Sequence, residues 1–420
     1  MDHFNYRNGV LHAEDVPMSA IADAVGTPVY VYSRATLERH ARVFQEALDG
    51  IERKHIAFAI KANPNLAVLK VLARQGFGAD IVSGGEMKRA LAAGMPAKDI
   101  VFSGVGKTVT ELREALEAGI GQFNIELEEE GAVLAQIAAS LGQTADAVLR
   151  VNPDVDAGTH AKISTGKKEN KFGVPIDEAP GIFARLSALP GLNLRGIAAH
   201  IGSQIFDLGP IEAAYGKLGD MVRDLRAAGH VIDRVDLGGG LGVPYERDKV
   251  PPSPADYGAM VERATRGWDV TLYFEPGRVI VGNAGVLLTR VIWVKPGAVR
   301  PFIIVDAAMN DLARPAMYDA WHDFEAVAPT GERMVANIAG PVCESGDTFG
   351  IGRDIDVVKA GDLAVFRTAG AYGATMASTY NSRPLVPEVM VDRDKFAVVA
   401  DRVMPETLIA AERVPDFLRD

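Results

Sequence analysis

A single cysteine, Cys343, among 420 residues leaves no internal disulfide to form and suits a reducing compartment. Positive charge is also scarce: 44 Lys and Arg against 55 Asp and Glu give a formal net charge of −11. Nucleic acid or an anionic membrane surface, which call for clustered cations, are therefore not expected as partners. That balance still allows a local basic pocket for a phosphate. Long apolar runs are missing, and no stretch approaches the roughly 18 consecutive apolar residues of a spanning helix. The first fifteen residues mix Asp2, Arg7, Glu14 and Asp15 with apolar ones and lack the apolar region of a signal peptide. No second histidine stands at a metal-ligand spacing from His200, so no metal site is expected. These exclusions leave a soluble cytoplasmic protein, and 48% hydrophobic residues imply a large buried core.

Short apolar runs ending in Gly, Asn, Ser or Pro recur along the first two thirds of the chain. They cover residues 56–60, 78–82, 100–103, 122–125, 147–151, 194–199, 234–237 and 271–274. Between them lie amphipathic segments at 66–75, 85–93, 110–118, 129–140, 176–189 and 210–228 that read as helices. Strands alternating with helices argue for parallel βαβ units, and eight of them argue for a closed (β/α)8 TIM-like barrel over residues 33–282. An open doubly wound sheet would alternate similarly, but no strand-linked GxGxxG is present. From residue 283 to 420 the texture changes to strands: 286–294, 302–305, 334–338, 356–358, 363–366, 388–391 and 396–399. This reads as a separate C-terminal β domain, which the N-terminal segment 1–32, with its strand-like piece 28–32, is expected to join.

Catalytic groups of such barrels sit where strands end, and the unusual residues here fall at those places. Lys61 follows an apolar strand, where loss of solvation would free its amine for Schiff-base chemistry. Gly238, Gly239 and Gly240 present backbone N–H groups with no side chains in the way, as a phosphate cradle requires, and Arg278 near the next strand end adds a charge. Glu275, before the rigid Pro276-Gly277 turn, would suit a pyridine nitrogen, and His200 a planar ring or a proton transfer. Cys343 sits in a polar, glycine-rich segment where an exposed thiol would be able to donate a proton. Taken alone, each has an ordinary alternative: an exposed strand cap, a flexible turn, a solvated acid, a structural histidine, an inert buried cysteine. Their weight lies in falling together at one rim.

Phe58-Ala59-Ile60-Lys61-Ala62-Asn63, His200-Ile201-Gly202-Ser203-Gln204, Gly238-Gly239-Gly240-Leu241-Gly242 and Glu275-Pro276-Gly277-Arg278 resemble the motifs of barrel-type decarboxylases that use pyridoxal 5′-phosphate. The resemblance implies that Lys61 carries the cofactor covalently, His200 stacks on its ring, the three glycines bind its phosphate and Glu275 contacts its ring nitrogen. Ser203, Pro276, Gly277 and Arg278 would line the same site. Three finer segments, residues 162–173, 309–318 and 343–347, are similar to diaminopimelate decarboxylases and unlike ornithine decarboxylases. Ala308 and Trp321 depart from that pattern, where Gly and Tyr are expected. In that family the residues matching Arg278, Arg314, Tyr318, Glu344 and Tyr372 contact substrate, and the one matching Tyr372 also reaches the cofactor. The cysteine is the proton donor proposed for the family, on a loop that reaches the active site of a second subunit, so a homodimer with shared sites is implied.

The implied reaction is decarboxylation of meso-2,6-diaminopimelate to L-lysine. Arginines such as Arg278 and Arg314 suit the distal carboxylate of that substrate, and Glu344 its ammonium. A decarboxylase of the same fold acting on ornithine, arginine or carboxynorspermidine would leave one of those charges without use. A racemase would gain from a weaker electron sink than Glu275 provides. A non-catalytic cofactor-binding barrel, or a barrel enzyme for phosphate-bearing substrates, completes the alternatives.

Overall fold

A computed structural model of the chain describes residues 2–156, 158, 170–246 and 249–419. It divides into two compact units, Leu37–Val281 and a second one made of Met1–Thr36 with Gly282–Asp420.

Among the described residues, the barrel of the first unit closes through eight parallel strands: β1 (Lys54–Ala59), β2 (Gly78–Ile81), β3 (Ile100–Phe102), β4 (Gln122–Ile125), β5 (Ala145–Asn152), β6 (Leu192–Ala198), β7 (Arg234–Asp236) and β8 (Thr271–Phe274). Each pairs with the next, and β8 returns to β1 through Leu272–Lys54, Tyr273–His55 and Phe274–Ile56, so the sheet closes. Closure, rather than the open sheet, buries both faces, and buried side chains such as Phe58, Phe102, Phe123 and Phe274 fill them. Several of the helices between strands start on side-chain caps. Ser83 accepts from the Glu86 N–H at 3.2 Å, and Thr108 with Glu111, like Ser253 with Asp256, forms a reciprocal capping box. The helix expected over 176–189 is shorter, Ala179–Ser187. Val174–Pro175 instead extends the sheet beside Val151 and Asn152, and Pro180 suits only a first helical turn.

In the second unit the sheet runs in the order Thr348–Asp356, Arg333–Ala339, Phe302–Val305, Gly285–Lys295, Val29–Ser33, Glu388–Asp392, Lys395–Ala400, with Leu363–Phe366 and Phe324–Ala326 branching from Gly285–Lys295. Val29–Ser33 lies antiparallel to Gly285–Lys295 and parallel to Glu388–Asp392, so the N-terminal segment is part of this sheet. The core gathers Leu11, Ile21, Val31, Leu288, Val365 and Val389. The strand expected at 356–358 is corrected to Thr348–Asp356. Its glycines and the register shifts opposite Ala336 and Ile338 break the alternation that marks a strand in sequence. A three-stranded sheet, Phe4–Arg7, Val10–Ala13 and Val16–Pro17, also escapes sequence reading because its strands are so short. Among the described residues no helix is long and apolar enough to cross a membrane.

Asp311 closes the turn that follows Phe302–Val305, accepting the Ala308 N–H at 2.8 Å. Burial, with Asp306 adding, raises its carboxyl from 3.8 to about 6 against the pull of the Ala308 N–H, Arg383 and Arg402. A carboxyl raised in the folded state binds its proton more tightly there, so its contribution to stability is full below pH 4 and is lost as pH rises to about 6. Asp311→Asn keeps an acceptor for Ala308 and removes that loss. Melting curves should show the variant gaining on wild type across pH 4 to 7, by up to about 3 kcal/mol; a constant difference would refute the assignment.

Candidate active site

The polar residues of the barrel converge on the C-terminal ends of its strands. Lys61 lies in the single turn Ile60–Ala62 that ends β1, with its Nζ on Oδ2 of Asp80 in β2. The Asp80 side chain is fully buried while that of Lys61 is 37% exposed, so the amine is held in place from below by an ion pair, not isolated in apolar surroundings as the sequence suggests. The other oxygen of Asp80, Oδ1, has no hydrogen-bond partner among the described residues.

Beside this pair lies a layer of buried acids and amides. Asn124 Nδ2 in β4 stands 3.0 Å from Asp236 Oδ2, 3.3 Å from Glu275 Oε1 and 3.0 Å from Ser103 Oγ. Ser103 Oγ donates to Glu275 Oε1 at 3.2 Å, and Gln122 Nε2 to Asp236 Oδ2 at 3.3 Å. Asn124 Nδ2 thus bridges the Asp236 and Glu275 carboxyl groups. Burial, then the charges of Asp236 and Asp80, push Glu275 well above the usual carboxylate range, against the pull of Lys61 and Arg150. Burial likewise raises Asp236, although Asn124 and the Gly238 N–H stabilise its charge. Both carboxyls are thus raised, chiefly by burial.

The turn after β7 is bound to this layer. Gly238 donates to Asp236 Oδ1 at 2.9 Å and Gly239 to His200 Nδ1 at 3.1 Å. Gly238 has φ +64°, and a Cβ there would meet the Ala199 carbonyl oxygen at 2.7 Å; one on Gly239 would collide with the carbonyl of Glu275. The turn therefore requires glycine for packing as well as for conformation. Arg278, buried, donates to Tyr245 Oη at 2.7 Å and through Nη2 to Ser203 Oγ at 3.1 Å. Arg150 in β5 pairs with Glu126 at 2.7 Å, and Glu126 accepts the N–H groups of Gly104 at 3.0 Å and Gly173 at 2.8 Å. Of the segment 162–173, residues 162–169 lie outside the described residues.

Lys61, His200, Ser203, Gly238, Gly239, Gly240, Glu275, Pro276, Gly277 and Arg278 thus all belong to the barrel unit, while Arg314, Tyr318, Cys343, Glu344 and Tyr372 belong to the other. There Cys343 and Glu344 are exposed, on a loop tied down by the buried Asp347. Its carboxylate accepts the Val342 N–H at 2.7 Å and the Met309 N–H at 2.6 Å. Tyr372 adopts φ +54°, and Arg314 is buried at the start of the short helix Arg314–Tyr318.

Sequence reading missed Asp80, Asn124, Asp236 and Arg150. Only Asp80 is a lone polar residue in an otherwise apolar strand; Asn124, Asp236 and Arg150 share their strands with other polar residues, and closure of the barrel is what brings them together. His200 carries the testable consequence here. Burial, then the cations Arg150 and Lys61, depress its imidazole to about 3, and acceptance from Gly239 places the lone pair on Nδ1 and the hydrogen on Nε2. In isotope-labelled protein free of cofactor, the His200 ring signals should stay those of a neutral Nε2–H imidazole from pH 5 to 8. A titration midpoint inside that interval would contradict the burial and charge described.

The pattern of the family described as pyridoxal-dependent decarboxylase, pyridoxal binding domain, matches residues 34–282. A diaminopimelate decarboxylase of Zymomonas mobilis is 52% identical over 418 residues, 99% of each chain. One of Vibrio cholerae is 49% identical over 417 residues, again 99% of each. The crystal structure of diaminopimelate decarboxylase from M. jannaschii in co-complex with L-lysine superposes with a TM-score of 0.95 at 36% identity, covering 100% of this chain and 99% of that one. A lysine/ornithine decarboxylase of Vibrio vulnificus, 20% identical with a TM-score of 0.79, shares the fold. Matched from end to end at about half of its positions, the chain belongs to the diaminopimelate decarboxylase family of pyridoxal-dependent decarboxylases.

Proposed function

We propose that the chain is a carboxy-lyase that converts meso-2,6-diaminopimelate to L-lysine and CO2 with pyridoxal 5′-phosphate as cofactor. The observation that carries this reading is the buried Asp236–Glu275 pair beside the Lys61–Asp80 ion pair, all at the ends of barrel strands. The names of relatives about half identical over their whole length support the choice of substrate.

The residues fit the cofactor. The unpartnered Asp80 Oδ1 leaves a buried acceptor beside the reactive amine. Lys61 would hold the aldehyde carbon and Glu275 the ring nitrogen. The turn of Gly238, Gly239 and Gly240, whose backbone packs too closely for a Cβ, would lie at the phosphate, although the N–H groups of Gly238 and Gly239 already serve Asp236 and His200. His200 would lie against the ring, with Ser203, Pro276, Gly277, Arg278 and Tyr372 around it. When bound, the cofactor supplies an electron sink for the bond to the departing carboxylate. Burial raises the Glu275 carboxyl, which favours its protonated form and would help keep a proton at the ring nitrogen, with Asp236 beside it. Neutral His200 adds no charge to the ring face. Cys343 Sγ would return a proton to the carbon that lost CO2, and exposure of the thiol suits that role.

Arg278, Arg314, Tyr318, Glu344 and Tyr372 are assigned to the substrate on the likeness of their motifs. Arginine suits the distal carboxylate and Glu344 the distal ammonium, and a substrate lacking the carboxylate leaves the buried Arg314 guanidinium unmatched, at a cost on the order of several kcal/mol. The active form on this reading is a homodimer in which Cys343 of one copy serves the barrel of the other, in a reducing cytoplasm that suits a single free thiol.

Purified protein with pyridoxal phosphate should be given meso-diaminopimelate, ornithine, arginine and carboxynorspermidine together. Lysine should be the sole new amine by mass, and borohydride should fix the cofactor to the Lys61 peptide. Another amine would overturn the roles of Arg314 and Glu344, and an unlabelled Lys61 would overturn the covalent attachment. Cys343→Ala should lower kcat at least a hundredfold while cofactor affinity stays within about threefold. Turnover near wild type would remove the thiol from the mechanism. Lys61→Ala and Cys343→Ala dimers, each inactive, should regain activity on subunit exchange if sites are built from two chains.

A further inference from the structure

A buried histidine outside every motif quoted above stands against one of the arginines assigned to substrate. His322 is 2% exposed and Arg314 is 6% exposed. His322 Nε2 lies 2.9 Å from Arg314 Nη1, and His322 Nδ1 lies 2.8 Å from the carbonyl oxygen of Arg367. A carbonyl only accepts, so the ring hydrogen must sit on Nδ1. Nε2 then bears a lone pair and accepts from the guanidinium. The opposite tautomer would point a lone pair at the carbonyl and a hydrogen at Arg314, and a doubly protonated ring would set two cations together. The chain Arg314 Nη1–H to Nε2, then Nδ1–H to the Arg367 carbonyl, therefore has a single direction.

The imidazole is itself held in place. Arg353 Nη2 donates to the His322 carbonyl at 2.8 Å and its guanidinium lies 3.0 Å from the centre of the Trp321 ring. The Arg367 N–H donates to the Asp323 carbonyl at 2.8 Å, so the backbone on the far side of the ring is tied to the same strand whose carbonyl holds Nδ1. A carboxylate at the position of Nε2 would orient Arg314 but would also neutralise it. A neutral imidazole orients it and leaves its full charge.

We propose that His322 is a positioning residue: as the Nδ1–H tautomer it fixes the guanidinium of Arg314 in the rotamer that receives a carboxylate of the substrate. The inference rests on the assignment of Arg314 to substrate made above. It makes an arginine on a five-residue helix a rigid recognition element, because the side-chain entropy is removed before the ligand arrives.

Two substitutions separate the contacts. His322→Asn keeps a donor at the place of Nδ1 for the Arg367 carbonyl but cannot reach Arg314. His322→Gln places an amide oxygen near the position of Nε2 and keeps an acceptor for Arg314. With the holoenzyme, His322→Asn should raise KM for diaminopimelate about tenfold with kcat within about threefold, and His322→Gln should recover most of that loss. Inhibition by pimelate, a dicarboxylate, should weaken in parallel, whereas inhibition by cadaverine, a diamine without carboxylates, and the dissociation constant of the cofactor should stay at wild-type values.

A merely structural role would lower the melting temperature, cofactor affinity and both inhibitors' binding together in the two variants, and that result would overturn the proposal. If the Asn variant does not fold, His322→Leu against His322→Gln provides the same contrast, and equal KM values in that pair would also overturn it. Arg314→Ala separates the two layers of the argument. An unchanged KM there would remove Arg314 from substrate binding, whereas a raised KM there with wild-type KM in His322→Asn would remove only the bracing role.

Discussion

Three carboxyl groups, Asp80, Asp236 and Glu275, are buried at the C-terminal ends of the barrel strands, and the arrangement around them is what that burial demands. Charge taken out of water is expensive unless it is paired, hydrogen-bonded or protonated, and all three remedies are in use. Lys61 pairs with Asp80, Asn124 and Gln122 with the Gly238 N–H solvate Asp236, and burial pushes Glu275 towards its protonated form. The glycine turn belongs to the same constraint: its first N–H is committed to Asp236, and its second to His200, whose imidazole is depressed by burial and then by the cations that balance the acids. Remove one acid and the lysine, the turn and the histidine lose the reason for their geometry.

The β unit solves a different problem, holding polar side chains that are exposed. Cys343 and Glu344 have little to pack against, so their loop is fixed from beneath, by one buried carboxylate accepting two backbone N–H groups. Burial raises Asp347 while those donors pull it down, the signature of an acid retained for its hydrogen bonds. Arg314 is held by the imidazole of His322. In both places a short polar contact inside the unit substitutes for the regular secondary structure that positions Lys61 and Glu275.

The barrel was legible because its strands are continuous apolar runs with polar ends, and parallel strands buried on both faces produce that pattern and little else. The residues at those ends were legible for the same reason, since Lys61, His200, the glycines and Glu275 interrupt the pattern at the rim. The second layer was harder to read. Asp80 and Asp236 look like ordinary strand residues until closure brings β2, β4, β7 and β8 to one polar layer. His322 and Arg314 are eight residues apart across a helix end, a separation with no periodicity to announce it. Thr348–Asp356 was displaced because its glycines and register shifts erase the alternation on which strand recognition depends.

The strand Val29–Ser33 has a consequence for how the chain comes to be made. Its five residues are all buried, and both its neighbours, Gly285–Lys295 and Glu388–Asp392, are encoded beyond the barrel. During synthesis the barrel segment can close as soon as β8 emerges, whereas Val-Tyr-Val-Tyr-Ser waits with both edges unpaired until Gly285–Lys295 follows, and with one edge open until Glu388–Asp392 arrives. A nascent chain therefore carries an adhesive β segment at its leading end for most of its translation, which makes early encounters between neighbouring nascent chains the hazard, and slow elongation before Glu388 the most dangerous interval.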